Sequence, residues 1–127
     1  MCSWKMLQIN ERMPEWRVLK KNVDNFIFPK YLKMGHYVMA IINDDIYVSM
    51  IYYTIANDKC QICYVHTSRN HRRQGHSITL VKCLLENCAQ CGIKEINVGI
   101  LPDCGSDKLF EKLGFSFVDN NVMCLVM

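Results

Sequence analysis

The stretch VHTSRNHRRQGHS, residues 65–77, decides the fold because the spacing of apolar residues changes within it. Up to Thr67 the chain alternates as a β-strand does. Beyond Gly75 the apolar residues recur about every 3.6 residues, as on one face of a helix. The residues on this stripe are Ile78, Val81, Leu84, Leu85, Cys88 and Cys91. Gly92 is a typical helix stop. The sequence therefore predicts a strand, a basic loop that ends in glycine, and a helix.

This loop has the composition of an anion site. The first turn of a helix carries unpaired backbone N–H groups and a partial positive charge. Gly75 lets an anion approach the backbone, and Arg72 and Arg73 add full charges beside it. The pattern indicates a phosphate or pyrophosphate site. It also fits an ordinary strand-to-helix connection with solvated arginines, and spacing alone does not separate the two.

The rest of the chain predicts mostly strands. Alternating β-branched and aromatic residues indicate strands over residues 5–9, 36–42, 46–55, 60–67, 94–100, 115–118 and 122–126. The three strands between residues 36 and 67 are joined by tight turns, so they must form an antiparallel meander. The last two strands form a hairpin around residues 119–121.

Three further helices are predicted. Pro14 suits the first turn of a helix that carries Trp16, Leu19 and Val23 at helical spacing. A second short helix follows from Asp24 and includes Phe26, Ile27 and Tyr31, although Pro29 is able to break it. Residues 107–113 form a short helix that ends at Gly114.

Length and charge limit the classes of function. A chain of 127 residues indicates one domain, and a net charge of +3 with scattered basic residues is too weak to favour nucleic acid. No apolar run approaches the roughly 20 residues that cross a bilayer. The N-terminus lacks the pattern of a signal peptide. We therefore expect a cytoplasmic protein without a membrane or nucleic-acid partner.

The eight cysteines are expected to be reduced thiols without a metal. Cys60 and Cys63 imitate a zinc ligand pair, but a strand points residues i and i+3 to opposite faces. Cys88 and Cys91 fall on the helical core stripe. Free cysteine behaves as a small buried apolar residue.

Two segments resemble motifs of the GNAT acetyltransferase superfamily. The segment RRQGHS, residues 72–77, resembles its acetyl-CoA signature Arg/Gln-x-x-Gly-x-Gly/Ala. The segment KLFEKLGF, residues 108–115, resembles its second motif, usually Leu-Tyr-Glu-Lys-Leu-Gly-Phe, and residues 119–123 resemble a closing segment of small members. The resemblance covers roughly residue 35 to the C-terminus, with both motifs in the expected order.

The resemblance implies a GNAT-like fold of mixed α/β (α+β) class, with a mostly antiparallel sheet flanked by helices. It implies one domain over residues 1–127, in which residues 1–34 form acceptor-side helices and residues 35–127 the acetyl-CoA-binding core. The implied function is acetyl-CoA-dependent N-acetyl transfer to a primary amine of a small molecule or protein, directly within a ternary complex. The open sheet edge of such folds also permits a homodimer.

The resemblance assigns residues to the cofactor. Backbone groups of Val65 and Thr67 hold the pantetheine arm, and an N–H near Val65 polarises the thioester carbonyl. The resemblance implies that the pyrophosphate is bound by the segment that contains Arg72, Arg73, Gln74, Gly75, His76 and Ser77. Asp103, Ser106 and Phe110 fall near the cofactor arm; Asp103 occupies the position of a family Asn.

The proton-handling residues depart from the family pattern. One variant of the family has a Glu where this chain has Gln61, which is not a base. Tyr64 and His66 are the nearby candidates; histidine has a suitable pKa, but a strand histidine can also be structural. Phe110 replaces the usual acid Tyr, which leaves water, Cys104 or Ser106 to protonate the thiolate. Gln61 and Phe110 favour the alternative, a non-catalytic acyl-CoA-binding or regulatory module.

Overall fold

A mixed sheet forms the centre of the protein, for which the computed structural model describes residues 5–24, 26–43, 45–72, 74–100 and 106–127. Within these ranges the strands are β1 (Lys5–Ile9), β2 (His36–Asn43), β3 (Ile46–Ala56), β4 (Lys59–Thr67), β5 (Glu95–Gly99), β6 (Ser116–Asp119) and β7 (Val122–Val126). The helices of the same ranges are α1 (Glu15–Asn22), α2 (His76–Gln90) and α3 (Ser106–Lys112). A turn of 3₁₀-helix, Arg69–His71, lies between β4 and α2.

The strand order is β1-β2-β3-β4-β5-β7-β6, and among these described strands only the β4–β5 pair is parallel. The predicted meander is confirmed as β2, β3 and β4, and the predicted hairpin as β6 and β7. The helix that begins after Gly75 and the short helix before Gly114 are also confirmed. The fold is therefore the mixed α/β class with a mostly antiparallel sheet and flanking helices, as predicted.

Each face of the sheet has its own apolar core. The α2 face packs Leu80, Val81 and Leu84 against Ile62 and Ile96. The opposite face, here called the α1 face, packs side chains of α1 against β2 and β3. The residues that form this second core include Trp16, Leu19, Val38, Ala40 and Met50. The sheet thus separates two environments, which determines which side chains are able to meet.

The stripe of α2 differs in part from the prediction. Its buried residues are Leu80, Val81, Leu84 and Cys88. Leu85 is only half-buried, and the prediction that Cys91 lies in the core is wrong. Cys91 is exposed because it is the C-cap, one residue beyond the last turn of the helix.

The prediction of a second helix from Asp24 is wrong. In the described range 26–34 the structure contains no helix. Phe26 and Phe28 both turn inward and pack edge-to-face, while the intervening Ile27 is 94% exposed. This period of two belongs to extended chain rather than helix, and Pro29 has no N–H for a helical hydrogen bond. The described part of residues 1–34 therefore contains one helix, α1.

The six cysteines that the structure describes are all free. Cys60 is buried and Cys63 is exposed, which confirms that they face opposite ways. Across the described residues, no three His, Cys, Asp or Glu side chains are grouped so as to hold a metal ion. No helix in these ranges is long and apolar enough to cross a membrane.

Candidate active site

A cavity of about 330 Å³ lies at the N-terminus of α2. It is lined by Thr67, His71, Arg72, Gly75, His76, Ser77, Ile78 and Leu109. Five of these residues, namely Thr67, Arg72, Gly75, His76 and Ser77, were predicted to bind the cofactor. None of the described lining residues is acidic, so an anion in this cavity would meet no negative side chain among them.

The start of α2 leaves backbone donors available at this cavity. Gly75 is the N-cap and has φ +79° and ψ 12°, a left-handed conformation that glycine adopts without steric cost. It makes no side-chain cap hydrogen bond, and the helical ladder begins where the Thr79 N–H donates to the Gly75 carbonyl at 3.0 Å. The first-turn N–H groups of α2 are therefore positioned for a ligand rather than for a capping side chain.

Arg72 brings a positive charge to the end of β4. Its Nε donates a hydrogen bond to the Thr67 carbonyl at 3.1 Å, so the side chain folds back onto the end of β4. From there the guanidinium reaches the cavity on the α2 face and its charge affects His66 on the α1 face. It lines the cavity, and its charge lowers the pKa of His66 after the larger effect of burial.

The sheet opens beside the cavity. The β4–β5 ladder joins residues 59–62 to residues 95–98 and ends at the Ile62–Val98 pair. Strand β4 nevertheless continues to Thr67, paired only with β3 among the described residues. The Ser68 N–H donates to the Val48 carbonyl of β3 at 2.8 Å. Because successive residues present their backbone groups to opposite sides, the N–H groups of Val65 and Thr67 face the opening.

A β-bulge decides which side chains of β4 face which core. Tyr52 pairs with Tyr64 and Tyr53 pairs with Ile62, so Cys63 is an extra residue on β4. The bulge shifts the side-chain alternation by one residue. As a result, Cys60 and Ile62 face the α2 core, whereas Tyr64 packs against the α1 core.

Tyr64 and His66 lie side by side beyond this bulge, with ring centroids 6.1 Å apart. The Tyr64 hydroxyl donates to the Asp24 carbonyl at 2.8 Å, and its ring stacks on Phe26. Burial raises the pKa of Tyr64, and the Asp24 charge raises it further, against the opposing charge of Arg72. Burial lowers the pKa of His66, and Arg72 lowers it further, while Asp24 opposes both. His66 is therefore the group held neutral, with a lone pair to accept a proton.

Other predicted residues lie elsewhere. Phe110 is 2% exposed in the core, where its ring meets Phe115 edge-to-face at 5.2 Å. Gln74 is exposed and its Oε1 lies 3.1 Å from His76 Nε2. Ser106 begins α3. Arg73, Asp103 and Cys104 lie outside the described residues. The cofactor roles assigned to these positions stay predictions.

Sequence reasoning missed a group of hydroxyls that links the two faces. Ser49 Oγ donates to the His66 carbonyl at 3.0 Å and lies 2.8 Å from Thr67 Oγ1, which is 2.7 Å from Ser77 Oγ. Because the Ser49 proton goes to the carbonyl, Thr67 donates to Ser49 and Ser77 donates to Thr67. Tyr47 meets His66 on the α1 face. The one available signal was Ser49, a small polar residue in a mostly apolar strand, and the structure shows it to be fully buried.

The comparisons with known proteins agree with this architecture. The model of the acetyltransferase (GNAT) family matches residues 4–115. The ribosomal-protein-S18-alanine N-acetyltransferase of Escherichia coli superposes with a TM-score of 0.78 at 12% identity, over 97% of this chain and 93% of that one. The PaiA N-acetyltransferase of Thermoplasma acidophilum, in complex with coenzyme A, gives 0.77 at 12% identity, over 99% of this chain and 100% of that one. No curated protein sequence matches the chain. At these identities the likeness to solved structures is one of fold.

Proposed function

Because the chain belongs to the acetyltransferase (GNAT) family, we propose that it is an acetyl-CoA-dependent N-acetyltransferase that acts on a primary amine. The observation that carries the proposal is the opening between β4 and β5 beside the cavity at the N-terminus of α2. A solved fold neighbour holds coenzyme A, which supports a CoA-type co-substrate here.

The cofactor is assigned to the α2 side of the opening. First-turn N–H groups of α2, together with Arg72, hold the pyrophosphate, since partial and full positive charges converge there. The backbone N–H groups of Val65 and Thr67, which face the opening, hold the pantetheine arm and the thioester carbonyl. A donor at that carbonyl is worth most as negative charge develops on its oxygen.

His66 is the proposed general base. Its pKa is lowered by burial and by Arg72, so the imidazole is neutral near pH 7 and able to take a proton. Tyr64 is the weaker candidate because its pKa is raised and its hydroxyl is already bound to the Asp24 carbonyl. The amine nitrogen bonds to the acetyl carbon as the carbon–sulfur bond breaks. His66 receives the proton of the amine, and water protonates the thiolate.

The test is acetyl-CoA turnover with primary amines and with peptides that have a free N-terminus. We expect release of the CoA thiol that matches the mass of acetylated product, and no release with amines that are already acylated. His66→Gln should lower kcat/KM by roughly 10²–10⁴-fold, the usual contribution of general acid–base catalysis. His36→Gln is the matched control, because His36 Nδ1 also contacts a tyrosine, Tyr52, at 2.7 Å.

Binding of coenzyme A without thiol release from any amine would instead identify an acyl-CoA-binding module. Equal loss in the His66 and His36 variants would remove His66 from the catalytic role. Absence of both binding and release would contradict the proposed function as a whole.

A further inference from the structure

We propose that Tyr47 is a positioning residue that holds the neutral His66 ring in the tautomer protonated at Nδ1, so that Nε2 carries the lone pair. The catalytic part of this inference rests on the proposed role of His66 as the base, whereas the tautomer itself does not. Tyr47 lies on β3 and is 5% exposed. It contacts both the ring and the backbone of His66.

The two contacts of the Tyr47 hydroxyl determine where its single proton goes. Oη lies 2.8 Å from His66 Nδ1 and 2.9 Å from the His66 carbonyl oxygen. A carbonyl oxygen can only accept, whereas a ring nitrogen is either a donor or an acceptor. If Tyr47 donates to the carbonyl, Nδ1–H donates to Oη and both contacts are hydrogen bonds. If Tyr47 donates to Nδ1, two oxygen lone pairs face each other at the second contact.

The first arrangement makes both contacts of the Tyr47 hydroxyl hydrogen bonds, so it is the favoured one for a buried tyrosine. Burial raises the pKa of the Tyr47 hydroxyl, with a smaller rise from Tyr64 and an opposing effect of Arg72, so the phenol keeps its proton. The phenol thus remains a donor across the working pH range. Within the part of the chain that the structure describes, no hydrogen bond occupies Nε2 of His66.

A second bulge brings Tyr47 to this face. Ile41 pairs with Ser49 and Ile42 pairs with Tyr47, so Val48 is an extra residue on β3. Without it, Tyr47 would share the α2 face with Ser49 and Ile51. With it, the Tyr47 ring stacks on the His66 ring, with centroids 5.7 Å apart and planes 21° apart. The bulges at Val48 and Cys63 are both needed, because the first places the Tyr47 side chain on the α1 face and the second places the His66 side chain there.

Protonation preserves the arrangement. When Nε2 takes the proton of the amine, Nδ1–H still donates to Tyr47 Oη, and no group has to rotate. This bond favours the imidazolium over the neutral ring. The other charged or titratable groups that act on His66 are Tyr64, Arg72 and Asp24. Loss of the Tyr47 hydroxyl should therefore lower the pKa of His66 further and release its tautomer.

The test compares Tyr47→Phe with Tyr53→Phe. Tyr53 is the matched control because it lies on the same strand, is 4% exposed and makes one hydrogen bond, in which Gln8 Nε2 donates to its Oη at 3.0 Å. It belongs to the α2 core, away from His66. Nitrogen-15 spectra of the imidazole in the protein without ligand report the tautomer, and steady-state rates across pH report its consequence.

In the wild type and in Tyr53→Phe we expect His66 to be protonated at Nδ1, and in Tyr47→Phe we expect loss of that single tautomer. The acid limb of the kcat/KM profile, which reports the base of the free enzyme, should move to lower pH only in Tyr47→Phe. Its plateau should fall at least about tenfold, which is less than the ~10²–10⁴-fold loss expected when the base is removed altogether.

A wild-type His66 protonated at Nε2 overturns the inference even if the Tyr47 variant fails to fold. Equal pH profiles for the two phenylalanine variants overturn it as well. An Nδ1-protonated His66 that tolerates His66→Gln without loss of rate refutes the proposed base, and with it the catalytic part of the inference, while the tautomer assignment stands.

Discussion

At the scale of single residues, Gly75 combines a backbone requirement with a proposed role in ligand binding. Its φ of +79° is a conformation that costs other residues about 1–2 kcal/mol. A Cβ built on it would meet nothing within 4 Å, and Gly75 lines the cavity. The sequence predicted this position because glycine before a helical stripe is a recognisable pattern.

Gly75→Glu should weaken coenzyme A binding strongly while the protein stays folded. The new carboxylate would oppose the phosphates, at a Coulomb cost of about 4 kcal/mol for charges ~4 Å apart near a protein surface. Gly92→Glu is the matched control, since Gly92 has φ +77°, equally open space and a place at the other end of α2. Calorimetry should show a loss of at least about tenfold in affinity, or about 1.4 kcal/mol, only for Gly75→Glu. Equal affinities in the two variants would exclude the cavity as the phosphate site.

At the scale of elements, most strand and helix positions could be predicted, whereas side-chain directions could not. Periodicity placed β4 and α2 correctly because α2 buries a helical stripe and β4 alternates up to its bulge. The extra residues Val48 and Cys63 are ordinary strand residues, and nothing in their chemistry indicates a bulge. Each bulge depends on pairing with another strand, which is a long-range property. The Tyr47–His66 contact therefore had no local signal.

Helix α3 shows the same limit at Phe110. The sequence motif suggested a ring near the reacting sulfur, whereas the structure buries it against Phe115, and Leu109 of the same helix lines the cavity. Phe110→Tyr should therefore destabilise the protein by about 1–3 kcal/mol, the cost of burying a hydroxyl without a partner. Turnover should not increase. Phe117→Tyr, at a 45% exposed position on β6, is the control expected to melt as the wild type does. An unchanged melting temperature with faster turnover would show that Phe110 faces the cofactor.

At the scale of the whole molecule, the sheet separates two chemical surfaces and opens between the central strands β4 and β5. The cavity at α2 lies on one face, and His66 with Tyr64 and Tyr47 lies on the other. The class of this fold could be predicted because its strands and helices have local patterns. The packing of residues 26–34 could not be predicted, because Phe26 packs against Tyr52 and Tyr64, which are distant in the sequence.

The two faces also share a dependence on pH. Burial is the main cause that lowers the pKa of His66 on the α1 face and of His76 at the cavity. An unfolded histidine has a pKa of about 6.5, so just below that pH the unfolded chain binds more protons than the folded one. The stabilisation is therefore complete above about pH 6.5 and is lost as the pH falls through the folded-state pKa values.

We expect the free energy of unfolding to decrease between about pH 7.5 and about pH 5.5, by an amount that urea titrations at both values measure. In His66→Gln and in His76→Gln the free energy of unfolding should fall less over this pH range, because each variant lacks one group that takes up a proton on unfolding. In the double variant the decrease should be smaller by roughly the sum of the two effects, since the two side chains lie on opposite faces of the sheet and independent sites add. A stability that rises on acidification, or a decrease that both variants leave unchanged, would mean that neither histidine is kept neutral by the fold.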